Sequence, residues 1–410
     1  MYSETDGTTA YLYVPEGPVL LARRWLEEHG TTPVRLLVEG DQVGNVEAWR
    51  RHSPGVEDVI PLGQTDWSLP DDAVRRVVVP LSTDAHLLHF HHPVQAPALG
   101  PHYALFRRLW SMGFREITWY GLSGTRTYGV PHMLDEFRDR HRGQRCFVVG
   151  NGPSLAQLDM PRLKDEITLG SNRCFLGYEK WGFPFTYWGI YDRFQIEQYG
   201  REYETSLPAE TTKFFPLEFL PLLRFENACP LNVVWSQNAA HDFSGECGQV
   251  FVGYTVTHML LQIAAVMGCD PIVLIGADHR YVLDRRHYAP ALRRARRRIT
   301  RSLRGGALYD MTFALHQAWR KRGKAEETLD PERLWCTDNA LAPTHFDDRY
   351  AGGEQKRFLL PEPEEAERDF ACARAWAERH GIRILNATPG SALDVFEHVT
   401  LADILDGNRG

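Results

Sequence analysis

The chain reads as an α/β protein built from two Rossmann-like parallel-sheet domains. Three observations point there. Short apolar runs alternate with helix-like segments from residue 11 to residue 120. The alternation breaks over a polar stretch, residues 122–144, and restarts at Arg145. In the second half the strand-like runs end in small polar residues, at the sheet edge where open α/β sheets bind ligands. We therefore expect an N-terminal Rossmann-like domain over residues 1–140 and a second domain over 141–410 that carries the ligand site.

Composition narrows the class. The 410 residues are 43% hydrophobic and 24% charged, the balance of a globular protein. A net charge of −7 gives no general attraction to nucleic acid. No apolar run reaches the ~20 residues of a membrane span. The opening Met-Tyr-Ser-Glu-Thr-Asp has no basic region leading into an apolar core, so the expected location is the cytoplasm. Seven cysteines, at 146, 174, 229, 247, 269, 336 and 372, form no Cys-x-x-Cys pair. They read as reduced thiols and not as disulfides or a zinc site.

In the first domain, Tyr11–Val14, Val34–Val38, Val56–Ile60, Arg76–Val79 and Glu116–Tyr120 are strand-like. Helices are expected over Pro18–His29, ended by Gly30, over Val46–His52, and over Tyr103–Met112, ended by Gly113. No phosphate-loop signature is present. His86, His89, His91 and His92 lie among prolines and read as solvent-facing loop residues, not as metal ligands.

The second domain opens on Cys146–Val149, a buried strand running into Gly150-Asn-Gly-Pro-Ser154, with a helix expected from Leu155. Its glycines let backbone approach a ligand, and Asn151 stands where that ligand would arrive. Ile167–Leu169 ends in Gly170-Ser171-Asn172, and Phe185–Ile190 ends in Tyr191-Asp192. Gly248–Thr255 opens a helix running to Met267, and Pro271–Ile275 is a strand ending in Gly276-Ala-Asp278-His279. The arginine-rich stretch 291–304 reads as a solvated helix in an insert near 285–330. A loop over 343–350, a helix over Glu362–His380 and a strand over Ile382–Leu385 follow; a short strand and helix over Val395–Leu405 complete the domain.

Asn151, Asn172, Asp192, Asp278 and His279 thus follow strands of one sheet and share its carboxyl edge. Asparagine offers donors and acceptors that suit a base or ribose. The turn Gly253-Tyr254-Thr255 at a helix start offers N–H groups to a phosphate. Each residue also has a plainer reading as a helix cap.

The segments FVVGNGPSL, LGSNRCF, VFVGYTVTHMLLQIAAVMG, IVLIGADHRY, PTHFDDRY and ILNATPGSALDVFEHV resemble bacterial relatives of archaeal 6-hydroxymethylpterin diphosphokinase. They are also similar to Campylobacter-type sialyltransferases and to the motility accessory factor glycosyltransferases. The resemblance covers roughly residues 145–405, with residues 1–140 more loosely similar to the extra domain of the motility accessory factors. It implies that Asn151 and Asn172 hold a cytidine nucleotide, with Gly150, Gly152 and Ser154 in the same turn. It also implies that Gly253, Tyr254 and Thr255 contact phosphate and sugar carboxylate, and that Tyr281 and Tyr288 assist the departing phosphate. His345 matches the base. The implied reaction transfers an acidic sugar from a CMP-activated donor to a hydroxyl of a carbohydrate or protein-glycan acceptor.

The chemistry is coherent. A histidine near its ordinary pKa takes the hydroxyl proton, while tyrosine hydroxyls and helix N–H groups receive the leaving phosphate without a cofactor. The plainer reading of His345 is a loop residue bonded to Asp347 or Asp348. The rival reaction, pyrophosphoryl transfer from ATP to a pterin alcohol, needs magnesium between paired carboxylates. Gly189-Ile-Tyr-Asp192 carries one carboxylate only, although Asp192 and Asp278 together remain an alternative pair. A third class is a non-enzymatic nucleotide-binding module.

Overall fold

Apolar runs too short for helices, each followed by an amphipathic segment, assemble here as two separate parallel sheets. The computed structural model describes residues 10–14, 20–29, 32–39, 43–50, 53–62, 68, 70, 76–80, 100–121, 124–220, 222–234, 241–280, 334–337, 345–350, 356–359 and 361–407.

The first sheet takes β1 (Ala10–Val14), β2 (Val34–Glu39), β3 (Val56–Leu62), β4 (Arg76–Pro80), β5 (Glu116–Gly121) and β6 (Gly124–Gly129) in the spatial order 3-2-1-4-5-6. The first five run parallel and β6 returns antiparallel on β5. Helices α1 (Leu20–Glu28) and α2 (Val43–Arg50) cover one face through Trp25, Leu26 and Val46 against Leu12, Leu36 and Val78. Helix α3 (Gly100–Ser111) covers the other through Tyr103, Phe106 and Leu109 against Tyr11, Leu37 and Val77. In the central strands β1 and β4 side chains alternate between two covered faces, so nearly every position there is apolar.

The second sheet is larger. It takes β7 (Cys146–Val149), β8 (Ile167–Ser171), β9 (Tyr187–Gly189), β10 (Thr212–Pro216), β11 (Ala228–Leu231), β14 (Ile272–Ile275), β17 (Ile384–Asn386) and β18 (Glu397–His398), in the order 11-10-9-8-7-14-17-18. Every pairing is parallel. Two small pairs stand apart: β12 (Val233–Val234) with β13 (Val250–Phe251), and β15 (Leu334–Thr337) with β16 (Lys356–Leu359). Helix α4 (Tyr178–Trp181) is a single turn and α5 (Arg193–Ser206) links β9 to β10. On one face α6 (Val256–Val266) and α7 (Pro363–His380) pack Leu260, Ile263, Phe370 and Ala373 on Cys146, Val148 and Leu274. On the other, Leu155, Leu163, Tyr203 and Leu401 of α8 (Leu401–Asp406) pack with Phe147, Val149 and Val273. Helix α6 is buried from Thr257 to Val266, which explains why those residues are apolar apart from Thr257, His258 and Gln262.

The fold class expected from the sequence is therefore the one found. Strand order decides where a ligand can sit. From β7 the chain builds outward through β8 to β11, and β14 then lands on the opposite side of β7. The order reverses between β7 and β14, and the crevice beyond their carboxyl ends is the natural ligand position in an open α/β sheet.

Local differences from expectation have local causes. The helix expected from Leu155 is a 3-10 turn over Pro153–Gln157, started by Pro153 and without a side-chain cap. The helix expected from Gly248 begins only at Val256, where the Thr255 hydroxyl caps it; Val250 and Phe251 are drawn off to pair with β12. Helix α5 and the strands β6 and β11 carry no clear apolar period and were not anticipated. The histidine cluster 86–92 and the arginine-rich stretch lie outside the described residues.

Candidate functional site

The site is built from two turns pressed together at the reversal. β7 ends in Gly150-Asn151-Gly152 and β14 in Gly276-Ala277-Asp278. Gly150 N donates to Ile275 O at 2.8 Å and Gly152 N to Gly276 O at 3.0 Å. A Cβ on Gly150 would lie 2.3 Å from Gly276 O, and one on Gly152 1.8 Å from Asp278 Oδ2. Both glycines are needed so that one turn can lie against the other. Gly276, at φ +65°, takes the left-handed backbone that such a reversal demands.

Asp278 closes the arrangement. Its Oδ1 accepts from Ser154 N at 3.2 Å and its Oδ2 from Ser154 Oγ at 2.6 Å. Ser154 is 1% exposed. The serine expected to touch a ligand is thus a tie between the two turns, and the carboxylate expected near a metal is its partner.

Asn151 and Asn172 come together through Ser171. Asn151 Nδ2 donates to Ser171 O at 3.2 Å and to Ser171 Oγ at 3.0 Å. Asn172 sits at φ +47°, a left-handed conformation that asparagine tolerates better than most residues. Its carbonyl is held by the indole N–H of buried Trp188 at 2.7 Å. Among the described residues, Asn151 Oδ1 and Asn172 Oδ1 are both buried without a hydrogen-bond partner. Both side chains line one cleft, and a buried acceptor without a protein donor is a group that an ordered water or a ligand can complete.

Residues 345–350 lie across this corner. Phe346 N donates to Asn151 O at 3.0 Å, and the Phe346 ring packs on Trp181 with centroids 5.0 Å apart. His345 stacks on Tyr350 with centroids 3.9 Å apart and planes 13° apart. Burial pulls the His345 imidazole down to about 4, and not to the ordinary value expected of a base. Burial also pushes the Tyr350 hydroxyl up, and the Asn172 side chain acts against that rise as a donor to the phenolic oxygen.

The cleft bounded by these groups encloses about 160 Å³. That is below the ~300 Å³ at which small-molecule pockets usually begin. Gly150, Asn151, Gly152, Asn172, Thr255, Asp278, His279 and His345 all line it. Thr255 accepts from Thr257 N, so the start of α6 faces the cleft, where helix N–H groups favour an anion.

Gly253 and Tyr254 are turned elsewhere. Tyr254 N donates to Asp369 Oδ2 at 2.6 Å, and Gly253, at φ +65°, packs on Asp369 and His258. The N–H expected for a phosphate is thus already committed to a buried carboxylate. Asp192 is not among the cleft-lining residues; its Oδ1 accepts from Gln195 N at 3.5 Å in the first turn of α5. His279 Nε2 lies 3.2 Å from Glu367 Oε1, and desolvation lowers its pKa. Arg280, exposed at the cleft, was not anticipated as a site residue; its place directly after the Asp-His pair was the available signal. Tyr281 and Tyr288 lie outside the described residues. Among the described residues no group of three or more His, Cys, Asp or Glu side chains has the geometry to hold a metal ion. No helix among them is long and apolar enough to cross a membrane.

No protein-family model matches the chain, and no curated protein matches it. Among solved structures it is similar to one described as the MAf glycosyltransferase from Magnetospirillum magneticum AMB-1, at 12% identity and a TM-score of 0.36. The match covers 96% of this chain and 57% of that one, so the chain spans little more than half of that protein's length. A likeness at this level carries no functional argument, which rests instead on the corner itself.

Proposed function

We propose that the β7–β14 corner binds a mononucleotide-activated sugar and transfers the sugar to a hydroxyl acceptor, as a glycosyltransferase using a CMP-linked acidic sugar. One observation carries this reading: Asn151 Oδ1 and Asn172 Oδ1 are buried without a donor among the described residues, and both residues line the cleft. The amide nitrogens of the same side chains are directed to Ser171 and toward Tyr350. A ligand presenting N–H or O–H groups, as the amino group of cytosine or the hydroxyls of a ribose do, would complete them.

The anionic parts of such a donor have partners nearby. The first turn of α6 and the Arg280 guanidinium are positioned to receive phosphate or carboxylate charge. His345 would accept the proton of the attacking hydroxyl. With its pKa near 4 it is neutral at ordinary pH, so it can accept a hydrogen bond but holds a proton weakly. Tyr281 and Tyr288 stay in the proposal as donors to the leaving phosphate. The separation of the chain into two domains near residue 140, the first accessory to the second, is part of the same reading.

The diphosphokinase alternative fits less well. Its magnesium needs carboxylates free to converge on phosphates. Asp278 gives both oxygens to Ser154, and Asp192 lies among the residues that start α5. Of that pair only Asp278 lines the cleft, and it already binds Ser154.

The test is a thermal-shift panel of the full chain with CMP, CDP, UDP and ATP, each with and without magnesium. A ligand of the native state raises the midpoint according to its concentration over its Kd. CMP should stabilise the protein without magnesium. Stabilisation by ATP with magnesium alone would replace this reading with the diphosphokinase, and indifference to every nucleotide would favour a non-enzymatic role.

A further inference from the structure

Arg173 follows Asn172 directly and is 6% exposed, an unusual depth for a guanidinium. Its Nη1 donates to the main-chain oxygen of Arg349 and, at 2.8 Å, to that of Tyr350. Its Nη2 donates to Glu202 Oε1 on α5 at 2.7 Å. Its Cζ stands 4.2 Å from the centre of the Tyr199 ring. A buried cation is tolerated only when charge and hydrogen bonds compensate it. Here one carboxylate, one aromatic face and two consecutive carbonyls serve the two Nη atoms and the guanidinium face, leaving Nε without a partner among the described residues, and the carbonyls belong to the segment that covers the asparagine corner.

That segment is held at two points. At its front, Phe346 N bonds Asn151 O. At its back, the Arg173 guanidinium grips the carbonyls of Arg349 and Tyr350. Between them the Tyr350 ring stacks on His345. Arg349 adds a bond to Leu176 O at 3.2 Å, but its side chain is largely exposed and otherwise paired with Asp347.

We propose that Arg173 is a positioning residue, braced by Glu202, that fastens residues 345–350 over the Asn151–Asn172 corner and so delivers His345 and Tyr350 to it. The proposal deepens the nucleotide reading and rests on it only for what the segment covers. A planar fork suits this role, because its two terminal nitrogens serve the carbonyls and the carboxylate while Cζ lies over Tyr199, whereas a lysine ammonium, a single point charge, keeps only part of these contacts. The alternative is that Arg173 merely braces α5 against the sheet.

The test is hydrogen–deuterium exchange of the full chain for wild type, R173K, R173Q and E202Q, with CMP affinity measured in parallel. Phe346 N and Tyr350 N report on the segment, since they bond to Asn151 O and Asp347 O. In R173Q exchange over 345–350 should quicken by about tenfold or more while β7 and β14 keep wild-type protection; R173K should fall between. CMP should bind about tenfold more weakly to R173Q. If R173Q does not fold, E202Q decides: quickening confined to 345–350 supports the proposal. Unchanged exchange over 345–350 in a folded R173Q overturns it, as does loosening spread over α5 and the sheet in E202Q. Should wild type bind no nucleotide, the functional reading fails while the exchange data still decide the role of Arg173.

Discussion

His345 illustrates how one residue's surroundings set its chemistry. In sequence it is a loop histidine beside two aspartates; in the fold it is stacked on Tyr350 and desolvated. His258 and His279 are likewise lowered by burial. For each, the unfolded chain takes up a proton near pH ~6.5, whereas the folded chain resists until lower pH. Their contribution to stability is complete above the unfolded value and is lost as pH falls toward the folded one, down to about 4 for His345. The denaturation midpoint should therefore drop between about pH 6.5 and about pH 4, and His345→Gln should flatten that drop. An equally steep drop in the variant would mean that His345 is not held neutral by its site.

At the scale of elements, the two glycine turns matter more than the helices behind them. Gly150→Ala would force a Cβ to within 2.3 Å of Gly276 O, a backbone atom that cannot step aside. We expect a loss of about 1–3 kcal/mol in chemical denaturation and a weakened ligand response, since Asn151 moves with the turn. A variant of wild-type stability would show that the two turns are not pressed together as described. The turns themselves were legible: an apolar run ending in Gly-x-Gly, and another ending in Gly-Ala-Asp, declare strand ends at any reading. Their partnership was not. Ser154 meets Asp278 across 124 residues, and Arg173 meets Tyr350 across 177. Periodicity and capping rules look a few residues ahead; they read Ser154 as a helix start, and the resemblance gave it and Tyr254 to a ligand, whereas distant carboxylates take their donors. The edge strand β6, Gly-Thr-Arg-Thr-Tyr-Gly, escaped for a related reason, since its place is set by pairing with β5 and not by an apolar run.

For the molecule as a whole, the reversal of strand order between β7 and β14 selects one corner from an eight-stranded sheet. Asn151, Asn172 and the 345–350 segment converge there, and Arg280 and the start of α6 add positive potential. The fold class followed from the alternation of apolar runs, whereas the acceptor-only character of the asparagine pair emerged only from its neighbours. The most direct test of that corner is a calorimetric titration of CMP into wild type and into Asn151→Ala. Wild type should bind, and the variant should bind about tenfold more weakly, the equivalent of ~1.4 kcal/mol for one hydrogen-bonding group. Equal affinities in two folded proteins would contradict the assignment of Asn151 to the nucleotide, and with it the site proposed here.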